Sequence, residues 1–241
     1  MTRILITICA RGGSKGIPGK NIRSLNGVPL LHYTISTARK FAGEFPGVDI
    51  ELSTDSDTII KIAADTGLQT SYVRPDALAT DSAGKIGAIS DLWKFAEATR
   101  KVRYDYVIDM DVTSPLRTVA DLRSALEKLV AQPEALNIFS VSPAGRNPYF
   151  NMVQEGTDGR VGLVKKPEGV LMTRQSAPPV YDMNASFYIF RRSFFERGEI
   201  SSITDYSLAF VMDHVCFDLD EPLDFEIMDF LLREEKLNFN I

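Results

Sequence analysis

An alternation of two patterns constrains this chain more than any other feature. Short apolar, β-branched runs and stretches with helical periodicity succeed one another through its first two-thirds. Ile4-Leu5-Ile6-Thr7-Ile8-Cys9 is an unbroken apolar run, as expected of a strand covered on both faces of a parallel sheet. Residues 29–41 then place Leu30, Tyr33, Ile35, Ala38 and Phe41 at helical spacing. Further strands are expected over Val48–Ser53, 70–73, 104–110 and 136–141. Between them helices are expected over 57–64 behind an Asp55 or Ser56 cap, over 85–99, and over Val119–Val130 behind Thr118. A β-α-β-α order of this kind predicts a three-layer αβα sandwich with right-handed crossovers.

The rhythm changes after Pro143. Gly145, Pro148, Gly156, Gly159, Pro167, Gly169, Pro178 and Pro179 punctuate residues 144–182, yet Tyr149, Phe150, Val161, Leu163 and Val170 need somewhere to pack. This segment is expected to be an inserted β arm or lid on one domain spanning residues 1–241. Strands over 187–190 and 215–219 return to the sheet, and a helix over 225–232 closes the chain.

Composition excludes several classes. With 27 basic and 32 acidic residues the net charge is −5, which argues against a general binder of nucleic acid or anionic membrane. Two cysteines and two histidines cannot build a disulfide framework or a four-cysteine zinc site, and they leave little for a histidine-based hydrolase. Cys9, Cys216 and His32 read as packing residues. Apolar runs stay shorter than a membrane span and Met1-Thr2-Arg3 leads straight into a strand, so a cytoplasmic protein is expected.

Ligands of open α/β sheets sit beyond the carboxyl ends of the strands. The loop after the first strand reads Ala10-Arg11-Gly12-Gly13-Ser14-Lys15-Gly16-Ile17-Pro18-Gly19-Lys20-Asn21. It carries neither a dinucleotide fingerprint nor a Walker A spacing. Its glycines permit close backbone approach, and Arg11, Lys15 and Lys20 supply the positive charge that a triphosphate needs. The alternative, a glycine-rich connection with solvated basic residues, is disfavoured by its place at a strand's end. Asp218-Leu219-Asp220 and Asp109-Met110-Asp111 share an i, i+2 spacing, which on a strand turns both carboxylates to one side and suits Mg²⁺. Asp224 and Glu226 belong to the start of the last helix. The segment Thr113-Ser114-Pro115-Leu116-Arg117-Thr118 either holds an anion or caps a helix. Arg174, in the arm, is a candidate partner for a substrate carboxylate, or a surface arginine.

On these motifs the chain resembles the acylneuraminate cytidylyltransferases. The resemblance runs through the 10–21 loop, Ser53-Thr54-Asp55-Ser56-Asp57, Arg74-Pro75 with Leu78-Ala79-Thr80-Asp81, and Thr113-Ser114-Pro115-Leu116-Arg117. It continues through Asn184-Ala185-Ser186-Phe187-Tyr188 and Asp218-Leu219-Asp220-Glu221-Pro222-Leu223-Asp224-Phe225, covering nearly the whole chain. Arg146-Asn147-Pro148-Tyr149-Phe150-Asn151 and Thr173-Arg174-Gln175-Ser176-Ala177-Pro178 look most like the branch acting on legionaminic-type acids. Asp111 and Lys85 agree, because enzymes acting on sialic acid itself commonly have Gln and Ser there.

The resemblance implies a nucleotide-diphosphosugar-transferase-like fold and a homodimer whose arms reach into the partner's site. It implies that CTP and a nine-carbon 2-keto sugar acid give a CMP-sugar acid and pyrophosphate. By family match, Arg11, Lys15 and Lys20, with Ala10, Gly12, Gly13 and Ser14, hold the triphosphate. Asn21, Arg74 and Lys85 serve the nucleotide, and Asp218 and Asp220 ligate Mg²⁺. Arg174 and Asn184 face the sugar acid, while Asp111 is a metal ligand, a base or a sugar contact. The competing readings are the same transfer to N-acetylneuraminate, pseudaminate or 3-deoxy-manno-octulosonate, then a glycosyltransferase, and a non-catalytic nucleotide-binding regulator. A NAD(P) oxidoreductase would need the glycine fingerprint that is missing.

Overall fold

The computed structural model describes residues 2–13, 16–167, 169 and 173–241. The opening apolar run forms β1 (Ile4–Cys9), and Ile4 to Ile8 are buried because parallel neighbours flank it on both sides. A two-stranded turn follows, β2 (Ser24–Leu25) and β3 (Val28–Pro29), closed by Asn26 and Gly27, both with positive φ. Then come α1 (Leu30–Glu44), β4 (Val48–Ser53) and α2 (Asp57–Asp65), whose cap is Ser56. After them lie α3 (Lys85–Arg100), β5 (Tyr106–Met110) and α4 (Val119–Val130). Thr118 and Asp121 make a reciprocal capping box at the start of α4, as the sequence position of Thr118 predicts.

The second half comprises β6 (Asn137–Pro143), the hairpin β7 (Val153–Glu155) and β8 (Val161–Leu163), β9 (Tyr181–Arg191), α5 (Arg192–Glu196), β10 (Ser207–Val211) and α6 (Pro222–Arg233). The main sheet runs β10-β6-β9-β5-β1-β4. β9 is antiparallel to both neighbours and the other pairs are parallel, so the sheet is mixed. Strand alternation sorts the core into two layers. Ile4, Ile6 and Ile8 pack with α1, α2, α4 and α6, whereas Leu5 packs with α3 and Phe194 of α5. The expected αβα sandwich is therefore present.

Two expected strands are absent. Over 70–73 the Thr70 hydroxyl donates to the Leu52 carbonyl and accepts from the Tyr72 amide, so side-chain bonds take the place of a ladder beside β4. Over 215–219 the Ser142 and Ser114 hydroxyls donate to the Cys216 and Phe217 carbonyls, and the Leu219 amide bonds to Thr113. That segment crosses the strand ends instead of joining the sheet, and β10 takes the edge beside β6. β9 is longer than the expected 187–190. Its pairing with β6 shifts between Phe139 and Val141, opposite Ala185, whose φ is 56°. The Ser140 hydroxyl, donating to Asn184 and accepting from the Phe187 amide, holds this irregularity.

Candidate active site

The carboxyl ends of β1 and β5 open into a cavity of about 440 Å³, lined among others by Arg11, Lys20, Asn21, Arg74, Lys85, Asp111 and Asp220. The loop after β1 reaches it by close backbone contacts. The Ala10 amide bonds to Ser53, the Gly12 amide to Asp55 Oδ1 at 2.7 Å, and the Asn21 side chain to the Arg11 carbonyl at 2.9 Å. A Cβ on Gly12 would meet the Ser56 Cβ at 3.0 Å, and one on Gly16 the Asp220 carbonyl oxygen at 3.1 Å. The absence of a side chain at these positions lets the loop lie closely against both the α2 start and the 215–220 segment. Ser14 and Lys15, expected in this loop, lie outside the described residues.

Cations line the cavity, and carboxylates already hold several of them. Arg11 Nη1 lies 2.6 Å from Asp81, Lys20 Nζ 2.9 Å from Asp220, and Lys85 Nζ 2.5 Å from Asp111 and 3.3 Å from Asp109. Arg74 is buried and donates to the Ser53 hydroxyl and carbonyl, with no ion pair among the described residues. Lys85 also lies over the Tyr188 ring, 4.8 Å from its centroid.

Asp111 sits where β5 meets the following turn. Its Oδ1 accepts from the Thr113 amide at 3.0 Å and hydroxyl at 2.9 Å. Beneath it Arg117, fully buried, donates to the backbone carbonyls of Asp111 and Ser186 and to the Thr34 hydroxyl. Of the two readings of the 113–118 segment, the structure favours the structural one: Arg117 braces the backbone and Thr118 caps α4. Burial disfavours the charge on Asp111, but the Lys85 ion pair and the Thr113 bonds outweigh it and hold the carboxyl down at about 2. Asp218 shows the opposite balance. Burial and the neighbouring Asp111 and Asp220 raise its carboxyl above the usual range, against Thr113 and Lys20.

A pKa lowered by folding supplies stability above the unfolded value, which is lost as pH falls through the folded one. The Asp111 contribution, about 2 kcal/mol, should therefore be complete near pH 6 and vanish between about pH 4 and 2. In metal-free buffer, the unfolding free energies of the native chain and Asp111→Asn should converge over that window. A difference independent of pH would show that Lys85 does not hold Asp111.

The expected site residues fall into two groups. Arg11, Lys20, Asn21, Arg74, Lys85, Asp111 and Asp220 line one cavity, with Ala10, Gly12 and Gly13 in its loop and Asp218 electrostatically coupled beside it. Arg174 and Asn184 are not brought there. Arg174 donates to the Ala144 carbonyl and lines a separate hollow at the base of the β7–β8 segment, while the Asn184 amide is taken up by Ser140, Ser142 and Ser186. Cys9, read as a core residue, packs partly buried against the core on the α3 side and also edges the cavity, and burial beside Asp109 pushes its thiol up. Asp81 lines the site without a signal of its own beyond the motif that contains it.

A mixed α/β sheet carrying a cationic glycine loop and facing carboxylates at its strand ends has the layout of a nucleotidyltransferase. The comparisons agree. Residues 5–236 match the family described as cytidylyltransferase, and the chain belongs to that family. It is 42% identical over 238 residues to a protein of Campylobacter coli named post-translational flagellin modification protein B, covering 98% of each chain. It is 39% identical to the CMP-N,N'-diacetyllegionaminic acid synthase of Campylobacter jejuni, covering 99% of this chain and 98% of the relative. The solved structure of CMP:2-keto-3-deoxy-manno-octonic acid synthetase complexed with CTP superposes with a TM-score of 0.65 at 17% identity, over 97% of this chain and 100% of that one.

Proposed function

We propose that this cytidylyltransferase activates a nine-carbon 2-keto sugar acid of the legionaminic type. The anomeric hydroxyl attacks the α-phosphorus of CTP, the new O–P bond forms as the bond to the bridging oxygen breaks, and pyrophosphate leaves. The observation that carries this reading is the single cavity in which Arg11, Lys20, Arg74 and Lys85 converge at the end of β1. The legionaminate relative supports the choice of acid. Charge repulsion and alignment dominate such a barrier, so placed cations are its main catalysts. Arg11 and Lys20, with Lys15, hold the triphosphate and offset the charge that grows on the departing pyrophosphate. Asn21 and Arg74 hold the nucleotide. Asp111, ionised, is an acceptor toward metal, hydroxyl or sugar.

The carboxylates fit a divalent cation. Asp218 is crowded by Asp111 and Asp220, an arrangement whose repulsion a cation relieves, and the donors are hard oxygens. Among the described residues, the metal-capable trio whose atoms lie within 4.8 Å of one another is a different one, Asp121, Asp213 and His214, where Asp121 already caps α4. The residues that would hold Mg²⁺ are Asp218 and Asp220, and when bound it supplies charge neutralisation to phosphate oxygens.

The arm reading extends to assembly. Met152, Val153, Val161 and Val164 on and beside the β7–β8 hairpin are exposed, as are Tyr181 and Met183 at the start of β9. These apolar side chains support a homodimer in which each arm, with Arg174, reaches the partner's sugar site. No helix among the described residues is long and apolar enough to cross a membrane. A CTP-consuming biosynthetic reaction supports a cytoplasmic protein.

Pyrophosphate release with Mg²⁺ and CTP, measured against N,N'-diacetyllegionaminate, N-acetylneuraminate and pseudaminate, tests the reading. Release with the legionaminate alone is the expected result. Release only with another acid would keep the transfer and overturn the sugar, and release with none would return the chain to the glycosyltransferase and regulator readings.

A further inference from the structure

Lys85 is an unusual residue for its position. It is the first residue of α3, whose cap is Gly84 with no side-chain bond, so its charge faces the positive end of the helix dipole. Helix stability therefore does not explain a lysine here. Its ammonium instead bridges two carboxylates from the end of β5, Asp109 and Asp111, spaced i, i+2 and facing the same way. Asp109 is fully buried. Its Oδ1 accepts from the Thr7 hydroxyl at 2.8 Å, while its Oδ2 has no hydrogen bond among the described residues and faces Lys85. A buried carboxylate oxygen left without a hydrogen bond needs a cationic partner. Lys85 supplies it on a flexible stem one-third exposed to the cavity.

The same logic recurs around the cavity. Lys20 is held by Asp220 and Arg11 by Asp81, so cations suited to phosphate and carboxylates suited to a metal neutralise one another in advance. A nucleotide carrying a metal would satisfy both sets at once. A metal alone would have to displace an ammonium that has nowhere comparable to go.

We propose that Lys85 is an internal counter-cation of the acidic rim: it holds Asp109 and Asp111 in the nucleotide-free protein and releases Asp111 toward a divalent cation held with Asp218 and Asp220 as it turns to the incoming phosphates, so that metal and nucleotide load together. This rests on the reading of the site as a metal-dependent cytidylyltransferase. It gives the lysine a measurable effect on metal binding without nucleotide.

The test is titration of the nucleotide-free protein with Mn²⁺, read as loss of the free-ion electron paramagnetic resonance signal, with thermal melting in parallel. Lys85→Met should bind Mn²⁺ roughly tenfold or more tightly than the native chain, within the usual range of coupling between sites. Mn²⁺ should also raise its melting temperature more. Lys85→Arg should stay as weak as the native lysine. Lys85→Gln, which keeps donors toward both carboxylates, serves if the methionine variant does not fold. Equal Mn²⁺ affinity in folded Lys85→Met or Lys85→Gln and native protein would overturn the inference, as would an arginine variant that behaves like the methionine one. In the native chain, Mn²⁺-dependent turnover with CTP alongside such a result would leave the enzyme reading intact. Turnover indifferent to metal would remove that reading and this inference together.

Discussion

Replacing Lys20 by alanine is expected to lower kcat/KM for CTP by about 10²-fold or more, the scale of losing one preorganised charge-stabilising donor. The expectation comes from its position. Gly19, with φ 65°, turns the chain into the short 3₁₀ helix Lys20–Ile22, and this places the Lys20 side chain, 17% exposed, into the cavity. Its partner Asp220 is 68% exposed, so their ion pair is of the solvated kind worth about 1 kcal/mol or less. Melting temperature should therefore hardly move. A loss of about 1 kcal/mol from a domain stable by roughly 5–15 leaves nearly every molecule folded, and it cannot produce a hundredfold drop in rate. Lys20→Arg should recover part of the loss, since the charge returns with a planar shape in place of a compact one. A native kcat/KM in the alanine variant, or a fall matched by unfolding, would refute the phosphate role of the loop.

Sequence and structure agree most where local chemistry decides. The run from Ile4 to Cys9, the Val48–Ser53 strand and the Thr118 cap of α4 follow from periodicity and capping alone, and each lies where expected. The loop from Ala10 to Asn21 was legible as a cationic loop at a strand's end, and Arg11, Gly16, Lys20 and Asn21 do line the cavity. Disagreement lies where side chains compete with the backbone ladder. Nothing in the residues 70–73 themselves says that the Thr70 hydroxyl will take the Leu52 carbonyl, and nothing in 215–219 shows that Ser114 and Ser142 lie opposite it. The pairing of cavity cations with carboxylates was also illegible, because Lys20 and Asp220 are 200 residues apart and only the closed sheet brings them together. Arg117 shows the same limit: its three acceptors come from α1, β9 and the turn after β5.

The acidic rim gives the second large effect, and its sign separates function from structure. Asp218 is half-buried, and burial together with Asp111 and Asp220 raises its carboxyl. A carboxyl raised by folding is ionised at a cost to the fold when pH lies above its folded value, and the neutral amide of Asp218→Asn does not incur that cost. The variant should therefore melt at or above the native temperature near neutral pH. If Asp218 holds Mg²⁺ as proposed, its turnover should nonetheless fall by about 10²-fold or more, since losing a metal ligand removes charge stabilisation of several kcal/mol from the transition state. Asp220→Asn should share the loss of kcat with a different signature. Releasing Lys20 from its ion pair leaves that lysine available to phosphate, so KM for CTP should stay level or fall while kcat drops. A residue retained for packing loses stability and activity together, whereas repulsive carboxylates retained for a cation lose activity alone. Steady-state kinetics at varied Mg²⁺, set beside melting curves for both variants, decide between the two. Near-native turnover in either variant would remove that residue from the ligand set, and a melting temperature well below native in Asp218→Asn would show that the crowded rim is held for the fold.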